Sequence, residues 1–303
     1  MKVAVVGAGA VGGYFGALLT RGGLDVTLIA RGKHLEVIRA RGLAIKSVKG
    51  NFTVRPSATD DPGTVGPVDL ILFCVKSYDT ESALRQARPM VGDETAILSL
   101  QNGVDNEDKI AAVVGENRVL GGVAYIGAGV VEPGVIKHAE EGRIVFGELP
   151  GGVSDRVRQL AATFNQAGLP AEASADIRAI LWGKLCWNAA FNAINTLVGG
   201  QVRRLVEEPQ SRELCRRVME EVRTVAVSQG VPLPETVIDK LIRWTEGVDV
   251  LMVTSTRQDL EAGKPLEADA LNGVVVRKGK EAGVLTPYNF TLYTLLKALS
   301  PAP

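Results

Sequence analysis

Cysteine, histidine, aromatic side chains and net charge are all scarce in this chain, and each shortage removes a class of function. There are three cysteines in 303 residues, Cys74, Cys186 and Cys215, an odd count with no pair at metal-ligand or redox-motif spacing. A disulfide framework is not expected, and the usage fits a reducing, cytoplasmic setting. His34 and His138 are the only two histidines, too few for a histidine-rich centre, so no metal site is expected. Any histidine-based triad would depend on one of these two. Lys+Arg 34 against Asp+Glu 34 leaves no net charge. That argues against a nucleic-acid partner recruited by a broad basic field and leaves only a local patch open. No apolar run approaches the ~18 residues of a membrane span, so no membrane partner is expected. Residues 1–19, with Lys2 ahead of small and apolar residues, have the look of a secretory leader. Five glycines from Gly7 to Gly16 spoil its apolar helix, and a strand-like run follows at 25–30, so a leader is not expected.

What is plentiful is glycine, 34 residues, within an ordinary globular balance of 46% hydrophobic and 22% charged side chains. Such a length holds about two domains, and the glycine suits an α/β protein with tight strand-to-helix turns. Residues 2–6 read as a buried strand, 10–21 as a helix stopped by Gly22-Gly23, and 26–30 as a second strand. Further buried strands are predicted at 70–75 and 96–100. Continuous apolar strands separated by helical patterns predict a parallel, doubly wound sheet covered on both faces. After Arg118 the texture changes. Antiparallel strands are expected at the sheet edge, joined around Glu132-Pro133-Gly134, then a helix over 151–168 and a last strand at 172–174. From Asp176 the spacing is helical throughout: 179–198, 211–229, 234–262, 268–283 and 289–299. The reading is an N-terminal Rossmann-like domain, 1–175, and a C-terminal all-helical domain, 176–303. The apolar stretch 248–253 suits either core or a dimer face, which leaves a homodimer open.

Four features carry chemistry. Gly7-Ala8-Gly9-Ala10-Val11-Gly12 follows a strand and opens a helix. The first glycine permits the tight turn, the second lets a pyrophosphate approach the backbone, and the third allows close helix–strand packing. After the second strand, where an NAD-binding unit usually carries Asp or Glu, stands Arg31. A carboxylate would repel a 2′-phosphate and a guanidinium can grip it, so NADP(H) is favoured over NAD(H), with Lys33 adding charge. A plain surface arginine is the alternative. Lys76 and Asn102 each follow a predicted strand, at the strand ends where α/β sheets bind ligands, although Asn102-Gly103 also suits a simple turn. In the helical half, Lys184, Asn188 and Asn192 stand four apart and form one stripe about 12 Å long. Set among Trp187, Ala189, Ala190, Phe191 and Ile194, these polar groups need hydrogen-bond partners, and a polar substrate would supply them. A solvated face, or asparagines bonded to neighbouring backbone, is the alternative. Glu267, opening a helix after Pro265, has a sufficient electrostatic reason to be there, and spacing alone does not bring it to Lys184.

Taken together, these residues resemble the ketopantoate reductase family over essentially the whole chain. The likeness rests on Gly7-x-Gly9-x-x-Gly12, Arg31, Cys74-Val75-Lys76, Gln101-Asn102-Gly103, Lys184-x-x-x-Asn188-x-x-x-Asn192, Ser255 with Gln258-Asp259, and Glu267-x-Asp269-x-x-Asn272-Gly273. The resemblance implies a 6-phosphogluconate-dehydrogenase-like helical domain and NADPH-dependent reduction of 2-dehydropantoate to (R)-pantoate, on the pantothenate route to coenzyme A. It implies that Lys184 is the general acid and that Glu267 orients the substrate hydroxyls and lies at the cofactor. It also implies that Asn102, Asn188, Asn192 and Ser255 hold the substrate. Gly7, Ala8, Gly9, Ala10, Val11, Gly12, Arg31, Lys76 and Asn102 would contact NADPH or NADP+. The family often has Met and Leu after the serine, whereas Thr256 and Arg257 stand here, and the added charge leaves a related 2-keto acid open as substrate. Two rivals stand beside this reading. One is an NADP-linked dehydrogenase of the 3-hydroxyacid type. The other is a non-catalytic NADP(H)-sensing protein, which would have little use for the Lys–Asn–Asn stripe.

Overall fold

The computed structural model describes residues 1–248 and 252–301. Its chain separates into two compact units, one of residues 1–101 and 106–177, the other of residues 102–105 and 178–303. The first is α/β and the second is helical.

The first unit is built on one sheet. Its strands are β1 (Lys2–Val6), β2 (Asp25–Ile29), β3 (Leu43–Ser47), β4 (Phe52–Val54), β5 (Ser57–Thr59), β6 (Val68–Phe73), β7 (Val91–Ser99), β8 (Val119–Glu132), β9 (Val135–Glu148) and β10 (Ala171–Ala173). The order is β4-β3-β9-β8-β7-β6-β1-β2-β5, with β10 beside β9. From β5 to β8 all neighbours are parallel, which is the doubly wound Rossmann order. Central strands lie between two covered faces, so Val3, Val5, Leu70 and Leu72 are buried side by side with no need for alternation.

The antiparallel pair around Pro133-Gly134 is present as β8 and β9. It is not the sheet edge that the sequence suggests. β3 pairs in parallel with the outer side of β9, and β4 follows antiparallel to β3. These two strands were not predicted. They are five and three residues long and lack the continuous β-branched run of β1; β9 offers β3 its backbone partner, and β3 in turn offers one to β4. The helix Ala10–Arg21 packs closely on the sheet because its first turn contains Gly12. A Cβ on Gly12 would meet the Gly7 carbonyl oxygen and come within 2.9 Å of the Cys74 Cβ.

In the second unit no strand occurs among the described residues. The span 234–262, expected as helical throughout, is two helices, Thr236–Glu246 and Ser255–Glu261, the first closing at Gly247. Of the apolar stretch 248–253, residues 249–251 lie outside the described residues. Among the described residues no helix is long and apolar enough to cross a membrane.

Within the first unit, Phe164 of the helix Asp155–Gln166 is fully buried, with its ring centroid 5.7 Å from that of Phe146 on β9. Truncating Phe164 to alanine should lower unfolding stability by about 3–5 kcal/mol, readable as a lower urea midpoint with unchanged slope.

Candidate functional site

In the second unit Lys184, Asn102, Asn188 and Glu267 come together, and Asn192 lies one turn beyond Asn188. Lys184 lies near the end of the helix Ile177–Trp187. The chain then widens into a π-helical turn, Asn188–Asn192, before resuming as the α-helix Ala193–Val198. Asn188 and Asn192 are therefore on one buried face, 5% and 2% exposed. Asn188 Nδ2 lies 3.5 Å from Asn102 Oδ1, and Asn102 Nδ2 donates to Glu267 Oε2 at 3.3 Å. Asn102 reaches this place because residues 102–105 pack with the helical unit, Gly103 turning through φ +106° and Asp105 pairing with Arg277 at 3.0 Å.

Lys184 and Glu267 influence each other. Close enclosure by protein pushes the Lys184 amine down to about 8, and the Glu267 carboxylate opposes that shift. An amine near neutrality next to a carboxylate and buried amides can give a proton and hold a polar oxygen. The Asn192 amide donates to Thr256 Oγ1 at 3.2 Å, while its buried Oδ1 has no protein donor among the described residues. A buried amide oxygen left in that way suits a ligand hydroxyl.

A second π turn, Asp269–Gly273, supports the first. Gly273 N–H donates to Ala268, five residues back. The fully buried Asn272 donates from Nδ2 to the Ala189 carbonyl inside the first π turn, at 2.9 Å, and to Asn289 Oδ1 at 3.0 Å. Asn289 in turn is held by Glu221, whose carboxylate accepts from the Tyr288 and Asn289 N–H groups at the start of the helix Pro287–Leu299. A carboxylate there is favoured by the helix dipole. This buried chain of partners was not legible beforehand, although Asn272-Gly273 was part of the motif set.

Two expectations shift in this region. Ser255 is exposed, and the buried neighbour that meets Asn192 is Thr256. Arg257 does not present a loose charge: Nε pairs with Glu261 at 2.7 Å, and a second guanidinium nitrogen donates to the Thr196 carbonyl near the end of the Ala193–Val198 helix.

The remaining predicted residues belong to the first unit. The loop from Gly7 to Gly12 leaves β1 and enters the helix Ala10–Arg21. Gly7 has φ +94°, and a Cβ there would come 2.8 Å from the Val75 N. A Cβ on Gly9 would meet nothing within 4 Å. An open approach to the backbone at a helix N-terminus, with no acidic residue in the first turn, suits a dinucleotide pyrophosphate. Ala10 and Val11 occupy that first turn. Arg31 follows β2, its side chain 90% exposed and 3.6 Å from Asp79. Lys76 caps the short turn Ser77–Asp79 beyond β6. Because β6, β1 and β2 are neighbours, all three loops lie along one end of the sheet. Gln101 braces the loop after β6, donating to the Val75 carbonyl at 3.0 Å and to Thr80 Oγ1 at 2.8 Å. These groups fit a nicotinamide dinucleotide, with the glycine loop open to its pyrophosphate and cations at the neighbouring strand ends.

Comparison with known proteins shows the family to which the whole chain is similar. The family described as ketopantoate reductase PanE/ApbA matches residues 3–151, and its C-terminal counterpart matches residues 176–300. A 2-dehydropantoate 2-reductase of Pyrococcus horikoshii is 35% identical, over 98% of this chain and 97% of that protein. A PanE/ApbA family ketopantoate reductase of Ralstonia eutropha superposes with TM-score 0.92 at 39% identity, covering 99% of this chain and 98% of the other. A D-mandelate dehydrogenase, solved with NADH and anilino(oxo)acetate, gives TM-score 0.92 at 27% identity, covering 99% and 98%.

Replacing Glu267 with glutamine removes the influence that holds the Lys184 amine up, so its titration should move below about 8. The pH dependence of amine-specific acylation at Lys184, followed by mass spectrometry, checks this; an upward or absent shift contradicts it.

Proposed function

The chain belongs to the ketopantoate reductase family, and from that we propose that it reduces 2-dehydropantoate to (R)-pantoate with NADPH, on the pantothenate route to coenzyme A. The observation that carries the reading is the enclosed Lys184 amine, lowered to about 8, beside Glu267 and in line with two buried asparagines. Bound NADPH supplies the hydride that turns the keto carbon into an alkoxide. Lys184, as an ammonium, stabilises the negative charge developing on that oxygen and donates its proton, leaving a neutral amine that is recharged from solvent. A pKa near the working pH suits both halves of that duty. Glu267 and Asn102 orient the substrate's hydroxyl, while Asn188 and Asn192 hold its carboxylate and keto oxygen. Ser255, being exposed, supplies a more peripheral contact. Glycines 7, 9 and 12 with Ala8, Ala10 and Val11 cradle the pyrophosphate, Arg31 takes the 2′-phosphate, and Lys76 adds a cation.

A second reading has a specific observation in its favour. The likeness to a D-mandelate dehydrogenase solved with NADH supports a bulkier 2-keto acid as substrate. Spectrophotometric oxidation of NADPH and of NADH across a panel of 2-keto acids separates the two. We expect 2-dehydropantoate to give the highest kcat/KM, and with NADPH; a preference for an aryl 2-keto acid favours the second reading. Absence of turnover with every 2-keto acid would point instead to a sensing role.

Two variants test the residue roles. Lys184→Ala should lower kcat about 10²–10⁴-fold while the NADPH Kd stays within about twofold. Near-normal turnover removes Lys184 as the acid. Arg31→Ala should weaken NADPH about tenfold and leave NADH nearly unaffected, measured by fluorescence titration; equal weakening of both rejects the phosphate role.

A further inference from the structure

The glycine loop has one partner that the cofactor motif does not include. His34, on the helix Gly32–Arg41, reaches back to the loop and brings Nε2 3.0 Å from the Ala8 carbonyl oxygen. Its other ring nitrogen, Nδ1, lies 2.9 Å from the Gly134 backbone nitrogen at the turn between β8 and β9. The two bonds leave no choice of tautomer. Gly134 N–H is a donor, so Nδ1 must accept; the Ala8 oxygen is an acceptor, so Nε2 must carry the proton. The neutral Nε2–H imidazole satisfies both at once. Burial keeps it in that form by pushing its pKa below the ordinary histidine value, against a weaker upward pull from the Ala8 carbonyl.

The consequence lies in the next peptide unit. Ala8 and Gly9 are joined by a trans peptide, whose carbonyl and N–H point in opposite directions. With the Ala8 oxygen held toward His34, the Gly9 N–H faces away from it. Ala8 is also fixed on its other side, its own N–H donating to the Ile29 carbonyl at 3.2 Å. A rotated Ala8–Gly9 peptide would turn a carbonyl oxygen, a partial negative charge, toward the side where the N–H had been. An anion approaching the helix start would then meet repulsion in place of a donor.

We propose that His34 is a positioning residue for dinucleotide binding, which holds the Ala8–Gly9 peptide in the orientation that offers N–H groups to the pyrophosphate. The inference rests on the reading of this loop as the cofactor site. It assigns His34 no contact with cofactor or substrate.

Two substitutions divide the histidine between its nitrogens. His34→Gln can set an amide N–H where Nε2 stands, keeping the bond to Ala8. His34→Asn can set an amide oxygen where Nδ1 stands, keeping Gly134 satisfied and leaving Ala8 without its donor. In NADPH titrations by fluorescence, the Asn variant should bind about 3- to 10-fold more weakly, with KM for NADPH raised and kcat at saturating NADPH unchanged. The Gln variant should recover affinity to within about twofold of the parent. Equal NADPH affinity in the two variants, whether normal or weakened, overturns the proposal and leaves His34 a packing residue. If the parent protein binds no NADPH, the cofactor reading itself falls and takes this inference with it. The two failures are thus distinct, and thermal melting of each variant separates loop positioning from a general loss of stability.

Discussion

An ammonium group enclosed by protein keeps its charge only if something negative stands beside it. That balance, between the enclosure of Lys184 and the carboxylate of Glu267, is the constraint on which the helical unit depends. Glu267 is itself buried and takes a bond from Asn102, which meets Asn188. Asn188 sits where it does because the helix widens after Trp187. Each polar group is acceptable inside the fold because the next one answers it, so loss of one member leaves another buried and under-satisfied.

The α/β unit meets a different demand. Its binding loops need backbone N–H groups exposed to a ligand, yet backbone left to itself rotates. The answer is to tie down the carbonyls. Ala8 is bonded to His34 and the Val75 carbonyl to Gln101, both from side chains on the protein side of the loop. Glycine opens the loop, and these two side chains fix the direction of its carbonyls.

Much of this was legible from residue order. The helix 10–21 was read to the residue, and β1 likewise, because a continuous β-branched run, a glycine turn and an apolar helix agree at every level. The Lys184, Asn188, Asn192 stripe was legible because polar residues at helical spacing inside an apolar stretch demand partners. The shape of that stripe was not. Nothing in Asn-Ala-Ala-Phe-Asn announces a π turn, since the extra residue is stabilised by Asn272, more than 80 positions away. β3 and β4 escaped for the same reason: β3 finds its partner in β9, about 90 positions on, and β4 finds its partner in β3. That Thr256 and not Ser255 meets Asn192 was equally hidden, because a helix start fixes which neighbour faces inward, and that phase depends on the cap at Thr254. The role of His34 beside the glycine loop was not legible, because its two backbone partners, residues 8 and 134, are far from it in the chain.

Each π turn holds one residue more than the α-helix around it would require. Removing a single codon from 188–192 would therefore let the helix close as a regular α-helix, because a turn bonded from i to i+5 has room for one residue more, and the side chains beyond it would keep their faces. Asn195 would still face Thr254. What the deletion would take away is the widened backbone itself, with the Ala189 carbonyl that accepts from Asn272, or the spacing that sets Asn188 and Asn192 at either end of the turn. A deletion within 269–273 would act in the same way from the other side. The two wide turns thus concentrate the effect of a lost residue at the buried amides and spare the rest of each helix.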